Sequence, residues 1–129
     1  MPWPETFVVF IVCHLIGDFV LQTDWQAQNK HCGLGRDPIR RRALASHIAT
    51  YGLAFVPAFI WLATGIGGWI ALAALAVLVP HWIQDDARLL MLYMRKVKRT
   101  NAGEADLVFI AVDQAFHVLA LFAVALAAA

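Results

Sequence analysis

ALASHIATYGLAFVPAFIWLAT, residues 43–64, contains no Asp, Glu, Lys or Arg. It has the roughly 20 mostly apolar residues that one crossing of a bilayer requires. Directly after it, Gly65, Gly67 and Gly68 form an uncharged link suited to a tight hairpin, and a second apolar run follows from Gly67 to about Met94. Upstream, Thr6 to Gln22 forms another such run, and downstream Ala105 to Ala128 a fourth. The expected fold is therefore all-α, a four-transmembrane-helix bundle in which residues 1–129 form one transmembrane domain. Composition agrees, with 61% hydrophobic and 15% charged residues and a mean hydropathy of +0.67.

The basic residues fall in two blocks. Lys30, Arg36, Arg40, Arg41 and Arg42 lie between the first and second runs, and Arg95, Lys96, Lys98 and Arg99 between the third and fourth. The positive-inside rule puts both blocks in the cytoplasm and both termini outside. Trp3, Trp61 and Trp69 then fall at the outer interface and Trp25 at the inner one, as an aromatic belt would. Arg40 to Arg42 read as topology determinants, with anionic headgroups as the lesser alternative, and no nucleic-acid partner is expected. The opening Met-Pro-Trp-Pro-Glu lacks the basic start of a signal peptide, so the first helix is expected to remain. Cys13 and Cys32 sit in different environments and read as free thiols. Thr23 to His31 is too polar to span and is expected to form a short interfacial helix, or a loop capped by Asp24. Gly33 to Arg42 reads as a basic linker. Pro57 and Pro80 interrupt their helices, and Ala- and Gly-rich faces offer a route to a homo-oligomer.

Three spans carry a His and an Asp four residues apart: His14 with Asp18, His81 with Asp85, and Asp113 with His117. Residues at i and i+4 share a helix face. Helices one and three run inward and read His then Asp, whereas helix four runs outward and reads Asp then His. The three pairs therefore lie at one depth, with each Asp a turn nearer the cytoplasm. His47 joins them from the second span, with Ser46, Thr50 and Tyr51 nearby, and His31 is left in a loop.

An Asp near mid-membrane costs roughly 2.5–3.5 kcal/mol on insertion scales. Asp18, Asp85 and Asp113 together approach about 10 kcal/mol, against a whole folding stability of about 5–15 kcal/mol. Neutral imidazoles cannot neutralise them. Arg88 can offset one, as a plain ion pair with Asp85, but a divalent cation offsets two and also accepts imidazole ligands. The candidate metal ligands are His14, Asp18, His47, His81, Asp85, Asp113 and His117. Mixed nitrogen and oxygen donors suit a transition metal, Zn first and Mn or Fe next, better than Ca or Mg. Seven donors exceed one tetrahedral shell, so one or two ions are expected. Gln22, Gln84 and Gln114 are candidates to orient the ligands, and Asp86, rotated off the stripe, is expected either to be solvated or to support the ligands from behind. Taken singly, each histidine has a plainer role in hydrogen-bonded packing, which the alignment of three pairs argues against.

The stretch His14-Leu15-Ile16-Gly17-Asp18-Phe19-Val20-Leu21-Gln22-Thr23-Asp24-Trp25 resembles the H-x-x-G-D-F-x-L-Q-x-D-W signature of a bacterial group of small integral membrane proteins, domain-of-unknown-function family 3307. His81 with Asp85, and Asp113-Gln114 with His117, match that group's later motifs, so the resemblance covers nearly the whole chain. It implies a multi-pass protein of the bacterial inner membrane and confers no activity. More distantly, the repeated H-x-x-x-D pairs resemble membrane-bound metal-dependent hydrolases and the all-helical zinc phospholipases C, although the Glu-containing pair of the latter is missing.

Three functions are compatible with these residues. The first is a metal-dependent hydrolase acting on a lipid or lipid-linked phosphoester from the cytoplasmic side, with Asp18, Asp85 and His47 as catalytic candidates. The second is a metal or proton-coupled transporter, which the nearly apolar outer halves of the spans disfavour. The third is a structural or regulatory membrane protein whose polar cluster locks the helices together.

Overall fold

Pro2, in extended conformation, and Pro4, in the first turn, set the start of the first helix, where a missing N–H costs nothing. The computed structural model describes residues 2–104 and 106–129. Helix α1 (Trp3–Leu15) buries Thr6, Phe10, Cys13 and His14 along one face. It then widens into a π-helical turn, Ile16–Val20, closed by Leu21 N–H donating to the Ile16 carbonyl at 2.9 Å. The wider turn keeps Gly17 and Asp18 on the buried side while Phe19 and Val20 point out.

Helix α2 (Asp24–Asn29) is short, and its cap is Thr23 rather than the expected Asp24. The Gln26 N–H donates to Thr23 Oγ1 at 3.2 Å, and the Thr23 N–H donates to Gln26 Oε1 at 2.9 Å, a reciprocal box written in the sequence as Thr-x-x-Gln. The Gln26 amide also donates to Ser46 Oγ at 3.2 Å, which ties α2 to the next long helix.

Helix α3 (Pro38–Ile66) begins five residues before the expected Ala43, so Arg40 to Arg42 lie in its first turns and not in a linker. The reason is local. Pro38 occupies the first helical position, and Asp37 accepts from the N–H groups of Ile39 and Arg40 at 2.8 and 3.2 Å. The helix continues through Pro57 and stops at Gly67, whose φ of 56° and ψ of −127° suit glycine alone. A 3-10 turn, Gly67–Trp69, leads into α4 (Ile70–Asp85), which continues through Pro80.

The expected run to Met94 divides at Ala87, which takes a left-handed conformation (φ 63°). The Asp86 carbonyl accepts from Cys32 N–H at 2.8 Å and its carboxylate from Leu34 N–H at 2.7 Å, so the α2–α3 loop clamps the end of α4. Helix α5 (Arg88–Lys96) is a separate amphipathic helix that buries Leu90 and Met94 against Phe109. Helix α6 (Leu107–Ala127) ends the fold, and the expected start of its run at Ala105 lies outside the described residues.

α1 packs on α3 and α6, and α4 packs on the same two helices, so the four form one bundle. The core of one end is filled by Phe10, Phe55, Leu62, Val77, Leu121 and Ala125. Outward faces are apolar as well, with Val8, Leu53, Ile60, Leu72 and Leu119 all exposed. Among the described residues, three segments are long and apolar enough to cross a membrane: Trp3–Val20, Pro38–Asp85 and Leu107–Ala127. The middle one, 48 residues long, comprises α3 and α4 folded back against each other.

Gly17 lies directly under the Tyr51 ring, where an added Cβ would meet Tyr51 Cδ2 at 2.5 Å. Gly17→Ala is expected to cost about 1–3 kcal/mol through overpacking, read as a lower melting temperature in detergent. Gly68→Ala, with nothing within 4 Å of the new carbon, serves as the neutral reference. Equal melting of the two variants would remove the close approach as a constraint.

Candidate metal centre

The π-helical turn after α1 presents Asp18, the first half of α3 presents His47 and Tyr51, and the last turns of α4 present His81 and Asp85. Helix α6 adds His117 to the same buried level, with Asp113 and Gln114 a turn earlier. Asp18, His47, His81, Asp85 and His117 are each at most 5% exposed.

Asp18, His47, His81 and Asp85 offer one donor atom each, all within 4.8 Å of one another. His47 Nε2 and His81 Nε2 are 3.2 Å apart. Asp18 Oδ1 is 3.3 Å from both, and Asp85 Oδ2 is 2.7 Å from His47 Nε2 and 3.1 Å from His81 Nε2. A tetrahedron of donors at about 2.0–2.2 Å from a zinc ion has edges of about 3.3–3.6 Å. The donors are thus spaced almost as a bound ion would space them.

Direction matters as much as distance. Despite these short separations, Asp18 Oδ1 and both oxygens of Asp85 have no aligned hydrogen-bond donor. The imidazole nitrogens hydrogen-bond each other, and the carboxylate oxygens crowd the same point from both sides. Four donors converging on one point, with the carboxylate oxygens among them left without hydrogen bonds, is how ligands stand around a cation.

His14 stands outside this convergence because both its ring nitrogens are occupied. Gln114 donates to Asp18 Oδ2 at 3.3 Å, which turns its Oε1 toward His14 Nε2 at 2.9 Å. The His14 proton is therefore on Nε2, and Nδ1 accepts from the Tyr51 hydroxyl at 3.1 Å. Tyr51 also stacks on His81, with ring centroids 3.5 Å apart and planes at 9°. Tyr51, Gln114 and His14 together hold an Asp and a His in place.

Asp113 belongs to a second group with Asp85 and His117, again within 4.8 Å. Gln84 donates to the Phe116 carbonyl and not to the cluster, and Gln22 Oε1 is buried without a partner. Arg88 does not offset Asp85. It pairs with Asp86 at 2.6 Å, and Asp86 is buried between Arg88 and the Leu34 N–H, not turned to solvent. His31 pairs with Glu104 at 2.7 Å, away from the cluster.

The cation that meets Asp85 is Lys30, whose Nζ lies 3.1 Å from Oδ2 and whose side chain is 9% exposed. Sequence reading grouped Lys30 with the basic block. Its signal was the Thr-x-x-Gln box, which fixes α2 and so returns the chain toward the bundle at Lys30.

A family model described as Protein of unknown function (DUF3307) matches residues 6–129. No curated protein and no solved structure matches the chain.

Lys30→Met leaves Asp85 without its ammonium, so metal-free protein is expected to lose about 3–5 kcal/mol. Adding Asp85→Asn should restore most of that stability in thermal unfolding with chelator present. A double variant as unstable as the single one would assign Lys30 a packing role only.

Proposed function

We propose that this chain, which belongs to the DUF3307 family of proteins of unknown function, is a membrane-embedded divalent-metal-binding protein that hydrolyses a lipid or lipid-linked phosphoester from the cytoplasmic side. The observation that carries the reading is the convergence of Asp18, His47, His81 and Asp85 on one point, with Asp18 Oδ1 and both Asp85 oxygens left without a hydrogen bond. Zn²⁺ fits this donor set best, with Mn²⁺ and Fe²⁺ as alternatives.

In this reading α3 and α4 are two crossings, giving four spans in the bacterial inner membrane with both termini outside. The basic stretches Arg36 to Arg42 and Arg95 to Arg99 then face the cytoplasm. The cluster lies at the cytoplasmic end, and the apolar layer of Phe10, Phe55, Leu62, Val77 and Leu121 seals it from the other side. That seal favours chemistry at one face over transport through the bundle.

The ion would supply a coordinated water ionising near neutral pH and would polarise the phosphoryl oxygen. His47 and His81 hold it through nitrogen. Asp18 is limited to one free oxygen because Gln114 occupies the other. A carboxylate of the cluster takes the proton of the attacking water as the new P–O bond forms. The bond to the leaving alcohol breaks, and the proton passes to that oxygen.

Protein purified in detergent without chelators is expected to carry stoichiometric transition metal by mass spectrometry, and His81→Ala with Asp85→Ala to lose it. Metal-free protein whose melting is unmoved by chelator would overturn the reading and leave the cluster as a packing lock. For topology, alkaline phosphatase fused after Ala129 is expected to be active and the same enzyme fused after Lys98 inactive. The reverse pattern would move the cluster to the other membrane face.

A further inference from the structure

Both oxygens of the Asp85 carboxylate are buried, and neither has a hydrogen-bond partner. Oδ2 faces His47, His81 and Lys30. Oδ1 faces a different residue, His117, whose Nε2 lies 3.3 Å away. The other nitrogen of the His117 ring bears on this contact. Its Nδ1 is 2.8 Å from the Asp113 carbonyl, which can only accept, so the proton is on Nδ1. In the neutral ring Nε2 then carries a lone pair, aimed at a carboxylate oxygen. Two acceptors, each on a side chain 1% exposed, face each other and share no donor. Either a second proton on the ring or a cation between them resolves the conflict, and Asp113, a third donor within 4.8 Å of both, favours the cation.

We infer that the centre holds two divalent ions bridged by Asp85, the second ligated by Asp85, His117 and Asp113 and open to an apolar cavity between α4, α5 and α6 that takes the hydrocarbon chain of a phosphoester lipid. This inference rests on the metal reading above. The first group offers four protein donors and the second three, so the second leaves the more open position for water or substrate. One carboxylate spanning two ions matches the separation of about 3.5–4 Å usual in two-metal hydrolytic sites.

The open side is visible. Asp113 retains 20% side-chain exposure and lines a cavity of about 200 Å³ whose other walls include Ile83, Leu89, Leu90, Tyr93 and Phe116. Mostly apolar walls, with only Asp113, Gln84 and the Tyr93 hydroxyl polar among them, suit an amphiphile whose chain lies in the cavity and whose head group meets the ion. Charge agrees with an anionic head. Asp18, Asp85 and Asp113 against Lys30 leave two negative charges, and two divalent ions convert this to two positive ones. A phosphate monoester dianion, or hydroxide with a phosphodiester, restores neutrality.

The test uses the full chain in detergent, stripped of metal and reloaded with Mn²⁺ by equilibrium dialysis. Wild type is expected to bind two ions per chain with an exchange-coupled electron paramagnetic resonance signal, and His117→Ala and the isosteric Asp113→Asn one ion with an uncoupled signal. One ion in wild type, or two in both variants, would overturn the two-ion assignment while leaving the proposed function intact. No ion in wild type would overturn both.

For the cavity, the probe is dioleoyl phosphatidic acid in mixed micelles, read by Mn²⁺ broadening of its ³¹P resonance. Broadening is expected in wild type and at least a fivefold loss in Leu89→Trp, which obstructs the mouth from an exposed position without touching the ligands. Glycerol 3-phosphate, sharing the phosphate but not the chains, is expected to broaden little. Equal broadening of both probes, or no effect of Leu89→Trp, would overturn the cavity as the lipid site.

Discussion

Taking a carboxylate out of water costs several kcal/mol unless positive charge meets it, and this bundle brings two nearly fully buried ones, Asp18 and Asp85, together with a third, Asp113, close by. Much of the surrounding backbone follows from that constraint. The π-helical turn at Ile16–Val20 points Asp18 inward, where Gly17 leaves room for the Tyr51 ring. The loop after α2 folds back to deliver Lys30, and Gly33 allows the return because any Cβ there would strike Leu44 and two carbonyl oxygens. The left-handed Ala87 ends α4 just after Asp85, so α5 turns away rather than carrying the polar level further along the same axis.

The two ends of the bundle are held by different physics. At one end, Phe10, Phe55, Leu62, Val77, Leu121 and Ala125 pack without polar atoms in their side chains, so cohesion there comes from close packing. At the other end hydrogen bonds and charge dominate, and several donors remain unmade. A structure evolved only for stability would pair those groups or replace them with apolar residues of similar volume. The polar end thus carries the groups able to hold a cation, and the apolar end is the frame that keeps its helices in register.

Much of this was legible in the sequence because helical spacing is. The i, i+4 pairs and their alternating order placed His81, Asp85 and His117 at one depth, and His47 joined them from α3. What periodicity could not show was direction. His14 sits on the right face, yet its ring is consumed by Tyr51 and Gln114. Arg88 follows Asp85 at three residues, but the intervening left-handed residue breaks the helix that would have paired them. Lys30 was hidden because it arrives from a loop with no apolar periodicity. The Asp-Pro start of α3 and the Thr-x-x-Gln box of α2 were both present as local signals, and each outweighs the charge pattern used to draw a linker and an Asp24 cap.

The groups packed around the converging donors decide how those donors are oriented. Asp18, ionised, requires an N–H from Gln114; that choice turns the amide oxygen to His14, fixes the proton on His14 Nε2 and makes Tyr51 the donor to Nδ1. Tyr51, so oriented, lies flat on His81 and sets the plane of its ring, whose own Nδ1 has no hydrogen bond to do so. On the opposite side the Asp113 carbonyl fixes the tautomer of His117 in the same way. Asp18 is thereby left one free oxygen, and His81 and His117 each present Nε2 toward Asp85. Because these orientations are set by neighbours within one packed layer, they precede any ligand, and a cation entering the cluster meets donors already turned toward it.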